Sequence, residues 1–261
     1  MKIAVCVKRV PDTGTRIRIA DDGRSLSSEG VKFVLNPYDE FAVEAALQLA
    51  EAGVADSVTL LTLGPEEARE TLRHGLALGA HDAVLLRGET TMDGWATAQA
   101  LAAELALRED GLVLFGAKAV DDDQQQVGPM VADVLGRPGV TSITEVEVAD
   151  SVATCRRAVE GGQEVVEVDL PAVATVTKGR YEPRYASLRG IMMAKRKPIA
   201  EKEATHVAPG LVVEAIEYPP ERQPGRLVGS GDEAVGELVR LLREEAGEVC
   251  RVDRVRQAEP C

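Results

Sequence analysis

The residues best placed for chemistry run from Gly116 to Met130, Gly-Ala-Lys-Ala-Val-Asp-Asp-Asp-Gln-Gln-Gln-Val-Gly-Pro-Met. They follow an apolar run and open a helical pattern. A helix N-terminus offers unpaired backbone N–H groups and the positive end of a dipole, which suits a phosphate. Gly116 lets the backbone approach a ligand closely. Asp121, Asp122 and Asp123 sit badly beside an anion unless they cap N–H groups or hold ribose hydroxyls while other amides face the phosphate. A solvated helix cap without a ligand accounts for the same residues. There is no G-x-x-x-x-G-K-[ST] loop, and no G-x-G-x-x-G follows the first apolar run. His74, His81 and His206 lack metal-ligand spacing. Cys6, Cys155, Cys250 and Cys261 form no C-x-x-C pair and are expected to be reduced thiols of a cytoplasmic protein. No nucleophile–base pair or paired acid/base carboxylates stand out, which fits a chain that is not itself an enzyme.

The elements that must position this stretch alternate. Ile3–Val7, Val58–Leu63, Ala83–Leu86 and Leu112–Phe115 are expected strands. Asp39–Ala52, Glu66–Leu78 with Pro65 at its first position, Thr91–Leu107 and Gln125–Leu135 are expected helices. Strands and helices in alternation predict an α/β fold, a parallel sheet with helices on both faces. Ligands in such sheets bind outside the carboxyl ends of the strands, which directs attention to residues after Val7, Leu63 and Phe115. From about residue 140 the pattern changes. Val140–Val148, Ala153–Val159 and Glu164–Thr177 favour strand, with a turn at Gly161-Gly162, and predict a hairpin or meander added to the core. Residues 1–204 are expected to form the main domain. Residues 205–261 are expected to form a Pro-rich arm with an amphipathic helix over Asp232–Glu245, whose Leu238, Val239, Leu241 and Leu242 need something to pack on.

Composition narrows the class. The 261 residues carry 30 Lys+Arg against 43 Asp+Glu, a net charge of −13, which disfavours nucleic-acid binding. Aromatics make up 3%, too few for a base-stacking platform or an aromatic sugar cleft. No run approaches the roughly 18 apolar residues of a membrane span, so no membrane insertion is expected. The segment Lys178–Lys202 opposes the trend, with eight basic and two acidic residues.

Four motifs in register carry a resemblance. Val5-Cys6-Val7-Lys8-Arg9-Val10-Pro11-Asp12, Leu35-Asn36-Pro37-Tyr38-Asp39-Glu40, Asp121-Asp122-Asp123-Gln124-Gln125-Gln126 and Glu182-Pro183-Arg184-Tyr185-Ala186-Ser187-Leu188 resemble the β (small) subunit of electron transfer flavoprotein, from residue 1 to about 200. The resemblance implies a Rossmann-like, adenine nucleotide α-hydrolase-like fold. It implies a heterodimer with an α subunit that holds most of the FAD, and a structural AMP in the β subunit. The implied AMP contacts are Cys6, Asn36, Pro37, Tyr38, Asp39, Leu63, Gly116, Ala117, Lys118, Ala119, Val120, Asp121, Asp122, Asp123, Gln124, Gln125, Gln126 and Val127. Tyr38 is also implied to reach the flavin across the subunit interface. Asn36-Pro37 reads equally as a plain helix cap, and Cys6, buried in a strand, is expected to be inert.

The resemblance also implies that electrons pass from acyl-CoA or similar flavin dehydrogenases to a membrane quinone oxidoreductase. The basic segment corresponds to a recognition loop at 184–198. There Leu188 would anchor the dehydrogenase, with Arg184, Tyr185, Arg189 and Lys195 around it, the cations steering encounter. Core packing is the other reading of Leu188. Bifurcating relatives carry Asp-Gly-Asp-Thr where this chain has Asp121-Asp122-Asp123-Gln124, which implies AMP and a non-bifurcating carrier. The competing class is a nucleotide-hydrolysing or adenylating enzyme, weakened by Lys8-Arg9-Val10-Pro11-Asp12 standing where a Gly- and Ser-rich phosphate loop would be.

Overall fold

The computed structural model describes residues 1–88, 93–221 and 224–245. The expected helix start at Thr91, Gln223 of the Pro-rich stretch, Cys250 and Cys261 lie outside them. In chain order the elements are β1 (Lys2–Cys6), β2 (Arg9–Pro11), β3 (Phe33–Leu35), α1 (Pro37–Glu51), β4 (Ser57–Gly64), α2 (Ala68–Leu78), β5 (Asp82–Arg87), α3 (Gly94–Leu105), β6 (Asp110–Gly116) and α4 (Val127–Leu135). They continue with β7 (Gly139–Ile143), β8 (Glu145–Ala149), β9 (Val152–Val159), β10 (Gly162–Asp169), β11 (Ala172–Val176), α5 (Leu188–Arg196), β12 (Ala200–Glu203) and α6 (Glu233–Glu244).

Seven strands form one sheet in the order β12-β5-β4-β1-β6-β11-β7, and every pairing in it is parallel. The alternation of side chains along each strand builds two cores. Ile3, Val5, Leu60, Leu85, Leu112 and Leu114 face α1, α2 and α5. Their neighbours Ala4, Cys6, Leu61, Val84, Leu86, Val113 and Phe115 face α3 and α4. A strand buried on both faces needs an unbroken apolar run, which is what these segments have. Each such Leu or Phe contributes about 1.5–3 kcal/mol by leaving water. The chain runs from β1 to β4 and β5 on one side, then crosses to β6 on the other. Strand order therefore reverses between β1 and β6, where a crevice opens at the carboxyl ends.

Three expectations are corrected. Pro65 is not the first helical residue: Ala68 N–H closes a turn on the Pro65 carbonyl at 3.0 Å, and α2 begins only after Glu67. Residues 140–177 are not one added meander. Thr144 splits the first run by donating its N–H to Arg156 O (2.7 Å), and Pro171, with no N–H to give, ends the third. Consequently β7 and β11 join the main parallel sheet, and only β8, β9 and β10 form the antiparallel addition. The 184–198 segment is not a plain loop, because Ser187 Oγ accepts the Gly190 N–H at 3.0 Å and starts α5.

The chain divides into two compact units, Met1–Ile216 and Glu217–Cys261. Residues 205–216, read from sequence as the start of the arm, fall within the first unit. In the second unit α6 buries none of its side chains, and Arg240 ties Glu237 and Glu244 along its surface.

Candidate functional site

The crevice at the β1/β6 reversal is built on one carboxyl group. Asp39, in the first turn of α1, is 5% exposed. Its Oδ2 accepts the Lys8 N–H at 2.6 Å, at the end of β1. Its Oδ1 accepts the Gly116 N–H at 3.1 Å, at the end of β6, and the Asn36 amide at 2.9 Å. Burial pushes the Asp39 carboxyl up to about 7, while these three donors and the Lys8 charge pull the other way. Pro37 occupies the first helical position, where its missing N–H leaves nothing unsatisfied. Asn36 is the N-cap by position, yet its side chain makes no cap bond. Instead it donates to Lys118 O (2.8 Å) and accepts from Val120 N–H (3.2 Å), pinning the loop after β6.

That loop, residues 117–126, carries the three aspartates. They do not cap α4, which starts only at Val127. Lys8 Nζ lies 2.8 Å from both Asp121 Oδ1 and Asp122 Oδ2, and Lys118 Nζ is 2.9 Å from Asp123 Oδ1. Two lysines thus offset two of the three negative charges beside the crevice, which lessens the conflict with an anionic ligand. Asp123 and Gln125 adopt left-handed backbone (φ 53° and 56°), a conformation that costs about 1 kcal/mol or more for a residue other than glycine and collects at functional loops.

The crevice spans about 870 Å³ counting the open solvent at its mouth. Cys6, Asn36, Asp39, Leu63, Gly116, Ala117, Lys118, Ala119, Asp122, Gln124, Gln125, Gln126 and Val127 line it. Pro37, Tyr38, Val120, Asp121 and Asp123 are not part of this lining. Tyr38 is half-buried, edge-on to Phe41 with ring centroids 6.0 Å apart, and the Lys118 ammonium lies 5.3 Å from its ring centre. Lys8 at the β1 end and Gly128 of α4 also line the crevice, as do Gly94, Thr97 and Leu101 of α3, which sequence reasoning did not single out. The signal available for α3 was the Asp93-Gly94 pair, a helix cap followed by a residue with no side chain. The bare Gly94 lets the Gln126 side chain pack close, since a Cβ there would stand 2.5 Å from Gln126 Nε2 and push that amide aside. Burial, with the Asp39 charge nearby, pushes the Cys6 thiol well up, so it stays protonated and inert. Among the described residues no group of His, Cys, Asp and Glu could hold a metal ion.

The basic segment forms a second surface. Arg184 turns inward: its guanidinium binds Glu44 at 2.8 and 3.0 Å and Glu51 at 2.5 and 3.2 Å, both on α1. Tyr185, Leu188, Arg189 and Lys195 point to solvent, with Tyr185 98% and Leu188 83% exposed, and Met192 and Met193 extend the apolar patch. The helix beneath them is fixed to α2. Gly190 packs on the Ala77 carbonyl, Arg73 donates to the Ala194 and Lys197 carbonyls, and Lys197 Nζ donates to Ala80 O at 2.7 Å.

Comparison with known proteins gives a consistent result. The electron transfer flavoprotein domain family matches residues 25–207. The chain is 39% identical to "Electron transfer flavoprotein subunit beta" of Bradyrhizobium diazoefficiens, over 95% of this chain and 99% of that protein. It is 38% identical to the mitochondrial beta subunit of Arabidopsis thaliana, over 91% of this chain and 97% of the relative. It is 36% identical to "Caffeyl-CoA reductase-Etf complex subunit CarD" of Acetobacterium woodii, over 94% and 99%.

Proposed function

The chain belongs to the electron transfer flavoprotein family, as a beta subunit, and from that premise we propose that it holds AMP in the β1/β6 crevice and pairs with an alpha subunit carrying FAD. The observation that carries the AMP reading is the crevice itself, at the strand-order reversal and lined by the first turn of α4. Its residues fit the nucleotide. Leu63, Leu101, Phe115 and Val127 offer an apolar wall for a base. The Gln125–Gly128 turn offers backbone N–H groups and a helix dipole for a phosphate. Asp122 and Gln126 offer polar groups for a ribose. Lys8 and Lys118, already paired with aspartates, hold the loop rather than the phosphate. Asp122 and Gln124, in place of Gly and Thr, favour AMP over a second FAD and hence a non-bifurcating carrier.

The redox chemistry, acceptance of electrons from acyl-CoA or similar flavin dehydrogenases and delivery to a membrane quinone oxidoreductase, comes from FAD when it is bound. The Acetobacterium relative, named as a subunit of a caffeyl-CoA reductase complex, supports a CoA-ester enzyme as this class of partner. This chain supplies no covalent step; its part is binding and orientation. Tyr38, at the rim beside Lys118, is the residue offered to the flavin, and the Leu188 patch is the face offered to the dehydrogenase. No described helix is long and apolar enough to cross a membrane, and we place the complex in the cytoplasm.

The test is to co-purify the chain with its alpha subunit, denature the complex and identify the nucleotides released. One FAD and one AMP per heterodimer are expected. Two FAD and no AMP would refute the AMP assignment. Release of AMP or ADP from added ATP with turnover would favour a nucleotide-hydrolysing enzyme instead.

A further inference from the structure

Asp93 faces two parts of the chain at once. Its Oδ1 accepts the Trp95 N–H at 2.8 Å as the N-cap of α3, and its carbonyl accepts the Thr97 N–H at 3.2 Å and hydroxyl at 3.0 Å. Its Oδ2 accepts the N–H of Gly210 and that of Leu211, the latter at 3.3 Å. The residue is 3% exposed. Burial alone would raise its carboxyl, but the amides of Gly210, Trp95 and Leu211 outweigh it and hold the group ionised below the usual range.

The two structures that meet here are different in kind. On one side stands the first turn of α3, where Gly94 and Thr97 line the crevice and Gly94 packs against Gln126. On the other runs a strap without regular structure, residues 205–216. The strap leaves the sheet at Ala204, which donates to Arg87 O at 2.8 Å. It ends on the loop between β2 and β3, where Ile216 N–H donates to Gly23 O (2.8 Å) and Arg24 Nε donates to Glu214 O (3.1 Å). Midway it meets Asp93.

We propose that Asp93 is a positioning residue of the nucleotide crevice, and that through it the strap 205–216 and a nucleotide in the crevice stabilise one another. The inference rests on the nucleotide reading given above. A ligand seated against Gly94 and Thr97 favours the ordered first turn of α3. That turn presents Asp93 to the strap, and a docked strap in return holds the turn against the ligand. Such coupling is reciprocal by thermodynamic necessity and is commonly fivefold or more.

The experiment uses the full chain purified with its alpha subunit and stripped of nucleotide. AMP affinity is measured by calorimetry, and amide exchange of residues 205–216 is followed with and without AMP. In the wild type, AMP should slow exchange at Gly210 and Leu211 about fivefold. Asp93→Ala should weaken AMP binding by a similar factor and abolish that protection. Gly210→Pro, which deletes a donor from the strap and leaves α3 intact, should weaken AMP in the same direction. Asp93→Ser, which can cap α3 but is too short to grip the strap, should not restore affinity. Strap exchange indifferent to AMP, or wild-type AMP affinity in both Gly210→Pro and Asp93→Ser, would overturn the coupling while leaving the nucleotide reading in place. No AMP binding by the wild type would overturn both.

Discussion

Gly116 and Asp39 meet where β6 ends and α1 begins: the Gly116 N–H donates to Asp39 Oδ1 at 3.1 Å, and the Gly116 Cα faces the helix backbone. A Cβ on Gly116 would collide with that oxygen and stand 2.7 Å from both Asp39 N and Tyr38 C. Backbone atoms of a helix cannot swing aside as a flexible side chain can. Gly116→Ala should therefore destabilise by about 2–3 kcal/mol, read as a melting temperature lower by about 5 °C or more. Nucleotide content should fall with it, because the displaced strand end forms the crevice floor. An unchanged melting temperature would mean that the close approach is not required.

Asp39 itself gives the fold a pH dependence. Its carboxyl titrates near 7 when folded and near 4 in the unfolded chain. Between those values the folded protein keeps a proton that the unfolded chain has released. The stability this contributes is fully present below about pH 4 and is lost as pH rises through about 7. The loss is on the order of 2–4 kcal/mol at most. Wild-type melting temperature should therefore decline from pH 5.5 to pH 8. Asp39→Asn, uncharged throughout, should start lower, because its amide N–H faces the donors already present, and should show a flatter profile. Parallel profiles for the two proteins would remove Asp39 as the cause.

Arg184 is a structural clamp before it is anything else. Glu44 lies buried against it, and the guanidinium fork satisfies both Glu44 and Glu51. Glu44 and Glu51 are held below the usual carboxylate range, for Glu44 despite its burial and for Glu51 mainly by this hydrogen bond. Arg184→Ala strands the Glu44 charge and should cost about 3 kcal/mol. Arg184→Lys keeps the charge but loses the fork, and should recover only part of that. Glu44→Gln combined with Arg184→Ala should be milder than Arg184→Ala alone. If the double variant were the less stable, the penalty would not come from a stranded carboxylate.

The parallel core was legible because apolar runs such as Ile3–Val7 and Leu112–Phe115 leave no face for water, and the strand ends followed from the alternation with helices. The split at Thr144 and the entry of β7 and β11 into the main sheet were not legible. A β-rich run states that a strand forms, while its partner is chosen by distant residues such as Arg156. Sequence leaves helix capping and ribose binding both open for the aspartates for a similar reason: Lys8, the counter-ion of Asp121 and Asp122, is more than a hundred residues away. Asn36 stands out in the sequence only as a candidate contact or helix cap, and its work of binding Asp39, Lys118 and Val120 across three segments becomes visible only once those segments meet.

Leu188 separates stability from recognition most sharply. Its side chain is 83% exposed on α5, which rules out the core-packing role that its apolar character allowed. Truncation should leave the melting temperature within the about 0.5 kcal/mol scatter of surface substitutions. At an interface, loss of an apolar anchor costs on the order of 2 kcal/mol, or roughly 30-fold in affinity. Leu188→Ala should thus raise the dehydrogenase concentration that half-saturates electron transfer to the flavin, with FAD content unchanged. Met192 and Met193 share the exposed face, so truncating either should give a smaller shift in the same direction. Charge reversal at Arg189 or Lys195 should slow encounter instead. That effect should fade with salt, because exposed charges are screened over about 10 Å at 0.1 M. The measurement is the transfer rate against dehydrogenase concentration for each variant at low and high salt. An unchanged half-saturation for Leu188→Ala at both ionic strengths would show that the dehydrogenase docks elsewhere on the complex.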